Sequence, residues 1–132
     1  MKFNLPVFTA ALLHATQVFA ADWRIISING APAIGDPAIS FLSDGSISGG
    51  TGCNRFSATG QTSGDRLIVS GPVATTRMGC DGDALLQQEA MIVALVESGA
   101  SVTADVFADT LTLTDVNSTF VLKRTAAPAP HN

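Results

Sequence analysis

Cys53 and Cys80 have the richest chemistry available to any side chains of this chain, and no other thiol accompanies them. Such a pair can form a disulfide, supply half of a metal site or offer a reactive thiolate. A zinc site needs two further soft ligands, yet the only histidines are His14 and His131, close to the two ends. Histidine is the usual general base of hydrolytic triads and the commonest metal ligand, so its absence from the interior argues against serine and cysteine hydrolases alike. Lys123 is the only lysine after Lys2. It closes a strand-like segment, where it is expected to be solvated, without the burial that makes a lysine a base.

The remaining candidates are weaker. Asp81 and Asp83 match the first and third positions of a calcium loop, but Leu85 and Ile92 occupy the fifth and twelfth, where oxygen ligands belong. Gly49, Gly50 and Gly52 could cradle a phosphate, yet neither the lysine of a P-loop nor the helix of a dinucleotide fingerprint follows. Backbone geometry is the better reading of that cluster, with glycine where a strand bends or two chains run close. Arg55 and Arg77 flank the cysteines and could bind an anion, although a solvated or locally paired arginine is the commoner outcome. Asn117-Ser118-Thr119 fits a glycosylation acceptor, relevant only in a eukaryotic secretory pathway. Neither catalytic nor cofactor-binding nor metal-ligating residues are assigned.

The elements that position these residues are mostly strands. Trp23 to Ile28, Ala38 to Leu42, Arg66 to Ser70, Val102 to Phe107, Thr110 to Asp115 and Thr119 to Lys123 read as strands. Asp44-Gly45 suggests a tight two-residue hairpin of the primed type, and Ser63-Gly64-Asp65 a second reversal. In TLTLTD, Leu111 and Leu113 should face the core while the threonines face water. Asp83 to Ser98 contains neither Gly nor Pro and is the one predicted helix, with Asp81 or Asp83 as its N-cap and Gly99 as a left-handed C-terminal cap. Met91 to Val96 is apolar throughout, so this helix is expected to be covered on more than one side or to lie deep in a sheet's concavity, burying Leu86, Ile92 and Leu95. One α+β domain results: a curved antiparallel sheet or partly open barrel with one packed helix over residues 83–98.

At 132 residues, 46% apolar and 14% charged, the chain suits one packed core. Residues 1–20 read as a secretory signal peptide, with Lys2 near the start, an apolar run from Leu5 to Leu13, and Val18-Phe19-Ala20 before the cut. That run is too short for a membrane span, and no cysteine sits at the cut to accept a lipid. The mature chain is therefore expected to be exported to a periplasm or the exterior, soluble and not lipid-anchored. That destination favours the disulfide for Cys53 and Cys80, and closing a loop of about 27 residues stabilises by about 3 to 4 kcal/mol. Without Lys2, six scattered basic side chains face eleven acidic ones, a balance unsuited to nucleic acid or anionic membranes. Residues 125–132, TAAPAPHN, read as a disordered tail.

Taken together, Trp23, the GTGCNRF segment at Gly50 to Phe56, ATTRMGC at Ala74 to Cys80, the helix that follows and the closing TLTLTD pair make residues 22–124 resemble the META domain, the HslJ-like family of small envelope and secreted proteins. Ala58 departs from the family's GCNxFxG pattern, and Gln61 stands near where an aromatic residue is usual. The resemblance implies a β-rich barrel-like domain with one helix, family cysteine positions at Cys53 and Cys80, and no agreed catalytic activity or cofactor. It also implies association with stress tolerance, motility, secretion or virulence. The expected function is a non-enzymatic, monomeric envelope protein acting on a protein partner. The alternative is a carrier of a small apolar ligand or lipid chain in an open barrel mouth.

Overall fold

The computed structural model describes residues 21–125. The predicted signal peptide, both histidines and most of the predicted tail lie outside the described residues. Among the described residues nine strands are formed: β1 (Asp22–Ile28), β2 (Ala31–Pro32), β3 (Ala38–Phe41), β4 (Ser46–Gly50), β5 (Arg55–Ser63), β6 (Arg66–Thr75), β7 (Ala100–Asp105), β8 (Thr110–Thr114) and β9 (Thr119–Arg124). One helix, α1 (Asp83–Ser98), separates β6 from β7. All pairings are antiparallel, and β1 also pairs with β9, from Trp23↔Arg124 to Ile28↔Phe120. That pairing closes eight strands into a barrel, with β2 as a short flap on β1. This pairing closes the curved antiparallel sheet, so that β1 and β9 leave each other no free edge.

Alternation explains which side chains fill it. Trp23 and Ile25 from β1, Ile39 and Phe41 from β3, Leu111 and Leu113 from β8, and Phe120 and Leu122 from β9 are all buried. Their neighbours in sequence point outward, as the period of two requires. The TLTLT strand behaves as its sequence predicts, with both leucines fully buried.

The weak seam lies between β6 and β7, which pair at only two positions, Arg66↔Ser101 and Leu67↔Ala100. Helix α1 packs against β6 and sends Ile92, Leu95 and Val96 into the same core as the strands. With Gln88 they form one buried stripe, the a/d-like spacing of a helix buried on a single side. The expectation of cover on more than one side is therefore corrected: Leu86 is 50% exposed, and Ala90 and Ala94 also face out. Ile92 and Leu95 are buried as expected. The apolar run from Met91 to Val96 had concealed the stripe because alanine and valine tolerate both environments.

The helix ends also differ from expectation. Gly82 occupies the N-cap position and offers no side-chain oxygen, so neither Asp81 nor Asp83 caps the helix. Asp83 falls in the first turn, where its charge still complements the helix dipole. Gly99 has φ 74 but ψ 176, so the chain passes straight into extended backbone instead of the left-handed cap. A side chain at Gly99 would also press on the Leu67 carbonyl oxygen.

Three strand boundaries shift for local reasons. The β3–β4 turn is longer than two residues: the Gly45 N–H donates to the Leu42 carbonyl at 3.0 Å, and Gly45 alone takes positive φ. This is a type I turn followed by a bulge rather than a primed turn. Strand β3 ends at Phe41, leaving Leu42 exposed. Strand β7 stops at Asp105 because its carboxylate accepts the Phe107 and Ala108 N–H groups, turning the chain and leaving Phe107 outside. Strand β6 continues beyond Ser70 through Gly71 and Pro72 to Thr75.

Candidate functional site

The β4–β5 connection, the segment after β6 and the first half of α1 meet at one end of the barrel. Cys53 and Cys80 are joined there by a disulfide, with Cα atoms 5.5 Å apart across a separation of 27 residues. The bond ties the end of one hairpin to the segment leading into the helix. Both sulfurs lie 3.9 Å from the Met78 carbonyl oxygen.

Asn54, adjacent to Cys53 and 4% exposed, organises the junction. Its Oδ1 accepts the Met78 N–H at 2.6 Å and the Thr76 hydroxyl at 3.0 Å. Its Nδ2 donates to Glu89 Oε1 at 2.9 Å and lies 3.7 Å from Cys80 Sγ. Its backbone N–H donates to Thr51 Oγ1 at 2.9 Å, and its carbonyl accepts the Thr51 N–H at 2.8 Å. The fully buried Thr51 hydroxyl in turn donates to Glu89 Oε1 at 2.8 Å. Buried polar atoms need such partners, and here one asparagine satisfies groups from three segments at once.

One helical turn supplies both polar anchors. Gln88 donates through Nε2 to the Ile34 and Thr51 carbonyls, each at 2.8 Å, and accepts the Ile34 N–H at 2.9 Å. Gly52 makes room for this: it has φ 98, and a Cβ there would sit 2.9 Å from both Gln88 Nε2 and the Ile34 oxygen. Gly49 is closely approached too, since a Cβ would collide with the Ala38 carbonyl. The glycine cluster is thus backbone geometry, as the sequence argument favours.

The sequence reasoning placed the cysteines here but missed Gln88 and Glu89. Their signal was the polar triplet Gln87-Gln88-Glu89 interrupting an otherwise apolar helix. Arg55 and Arg77 are both exposed. Asp81 and Asp83 are exposed as well and converge on no common ligand position, while Asn117 sits exposed in the β8–β9 turn with its N–H donated to Asp115 Oδ1.

Beside this junction, the outward face of α1 and the segment after β6 enclose a groove of about 510 Å³. Val73, Met78, Leu86, Ala90 and Val93 form its apolar part, and Asn54, Thr75, Thr76, Arg77 and Glu89 its polar part. Met78 and Leu86 are each more than half or half exposed, at 57% and 50%. A second concavity of about 340 Å³ lies at the β3–β4 turn, towards the opposite end.

The sequence profile of the META domain family matches residues 16–127, nearly the whole chain. The chain belongs to the META domain family. A solved NMR structure of 34% sequence identity superposes on this META-domain chain with a TM-score of 0.69, covering 81% of this chain and 91% of its own. An NMR structure of a protein from Burkholderia xenovorans, 19% identical, gives a TM-score of 0.67 over 96% of this chain and 95% of its own, a likeness of fold. No curated protein matches the chain. Among its described residues this META-domain chain thus carries the barrel, helix α1 and the Cys53–Cys80 bridge. Among the described residues no helix is long and apolar enough to cross a membrane.

Proposed function

We propose that this META-domain protein is exported and works, without covalent turnover, as a single soluble chain that binds a protein partner in the envelope or outside the cell. The Cys53–Cys80 disulfide supports an oxidising destination. The observation that carries the binding mode is the contrast between inside and outside. Trp23, Ile39, Leu111, Leu113, Phe120 and Leu122 fill the barrel to 1% exposure or less, while Met78 and Leu86 present apolar surface in an external groove. Apolar side chains held open on a rigid frame favour a partner that contributes its own apolar residues. The groove has few charges, so contact area and shape rather than steering would give it affinity. A role in stress tolerance or virulence would follow from the partner chosen.

The second reading is a carrier for a small apolar molecule. It is favoured by the groove's volume, which falls within the roughly 300–1,000 Å³ usual for ligand sites. Against it stands the filled interior, which gives a long lipid chain no room to enter the barrel. Native mass spectrometry of the exported protein, purified from its own source, separates the two. A retained polypeptide supports the first reading; a retained small apolar molecule replaces it with the second.

A further inference from the structure

Three donor atoms converge at the bridge: Cys53 Sγ, Cys80 Sγ and a Glu89 carboxylate oxygen lie within 4.8 Å of one another, each on a half-buried residue. In the disulfide form the sulfurs are committed to each other. We propose that, once the disulfide is reduced, Cys53, Cys80 and Glu89 form a binding site for a thiophilic divalent d¹⁰ cation such as Zn²⁺ or Cd²⁺.

Hydrogen bonds independent of the S–S bond hold the donors in place when it opens. Asn54 fixes the Met78 segment through two hydrogen bonds to its Oδ1, and Arg55 and Thr76 exchange two more, at 2.9 and 3.0 Å. None of these needs the disulfide. The two thiols therefore stay adjacent, and their 5.5 Å Cα spacing lets the sulfurs separate to share one ion. Glu89 is oriented in the same way, because the Thr51 hydroxyl and Asn54 amide both donate to Oε1 and leave Oε2 for a cation. Asn54 Nδ2, 3.7 Å from Cys80 Sγ, supplies the outer hydrogen bond that steadies a thiolate ligand. Two sulfurs and one oxygen leave a tetrahedral ion one further position, open to water or an exchangeable ligand, as in a zinc site that is not closed by protein side chains.

An external dithiol delivers two electrons and two protons to the Cys53–Cys80 bond, becomes a disulfide itself and leaves two protein thiols. The cation then displaces both thiol protons to solvent and binds two thiolates and the existing carboxylate. Binding is thus confined to the reduced state, and an oxidant that restores the bridge expels the ion.

The test is an anaerobic titration of the mature protein, reduced with a phosphine, with Cd²⁺ as the probe, following the sulfur-to-cadmium charge-transfer band and the far-ultraviolet circular dichroism. The expected result is one Cd²⁺ per reduced chain and none per oxidised chain. Glu89→Gln, whose amide oxygen can still accept from Thr51 and Asn54, should keep the fold and weaken binding by about tenfold or more. Absence of a saturating 1:1 signal in the reduced protein overturns the proposal. So does equal affinity in Glu89→Gln, which would indicate a bare dithiol, and so does a reduced chain that is unfolded and that Cd²⁺ does not refold.

Discussion

Gln88 and Ile34 are locked to each other by a reciprocal pair of hydrogen bonds, 2.8 and 2.9 Å long, across 54 residues of sequence. The helix side chain completes the backbone of the β2–β3 loop and, through the Thr51 carbonyl, that of the β4–β5 connection as well. Replacing Gln88 by leucine keeps its bulk and strands three backbone groups. We expect Gln88→Leu to cost about 2 to 3 kcal/mol, seen as a lower urea midpoint at an unchanged slope.

The two sides of α1 should answer oppositely to the same charge. Ile92→Asp places an unpaired carboxylate at a fully buried position and should cost more than about 4 kcal/mol, enough to unfold a domain of this size. Leu86→Asp, half exposed, should stay within about 0.5 kcal/mol of the parent. Thermal melts of the two variants side by side check this, and a large loss at Leu86 would show that the outer helix face is covered.

Much of this was legible in the sequence. Alternation in TLTLTD, the Gly- and Pro-free stretch from Asp83 to Ser98 and the family segments around Cys53 and Cys80 locate the strands, the helix and the bridge. What periodicity could not show was closure of the barrel, since Trp23↔Arg124 pairs residues at opposite ends of the domain. It also could not rank apolar helix residues by burial: Leu86 and Ile92 look alike as letters, and only the contact with β6 decides which is inside. The polar junction was invisible for the same reason, because Asn54 and Glu89 meet only after folding.

Acid should act on the β8–β9 turn. Burial opposes the Asp115 carboxylate, but the Asn117 N–H, the Ser98 hydroxyl and the Ser118 N–H outweigh it and hold its pKa below the ordinary 3.8. A depressed carboxylate contributes stability that is present above its unfolded pKa and lost as pH falls through the folded value. The advantage of the parent over Asp115→Ala should therefore be constant from neutral pH down to about 5 and shrink below about 4. Urea midpoints of both proteins across that range test it; a gap that persists to the lowest pH would assign the effect to packing instead.

Removing the bridge should weaken the domain without erasing it. Cys53→Ser with Cys80→Ser is expected to lose about 3 kcal/mol, the chain-entropy value for this loop, while the Asn54 hydrogen bonds keep the junction folded. Two-dimensional NMR should show the same strand pairings in the double variant. Collapse of the spectrum would mean the hydrogen bonds depend on the disulfide.

The central claim, that the groove beside α1 receives a protein partner, is tested most directly by photo-crosslinking in the native cell. A photoreactive residue is placed at Leu86 in the groove or at Phe107, a fully exposed aromatic at the far turn. The account predicts a discrete polypeptide adduct from position 86 and none from position 107. An adduct from 107 alone, or none larger than a small apolar molecule from 86, would contradict it.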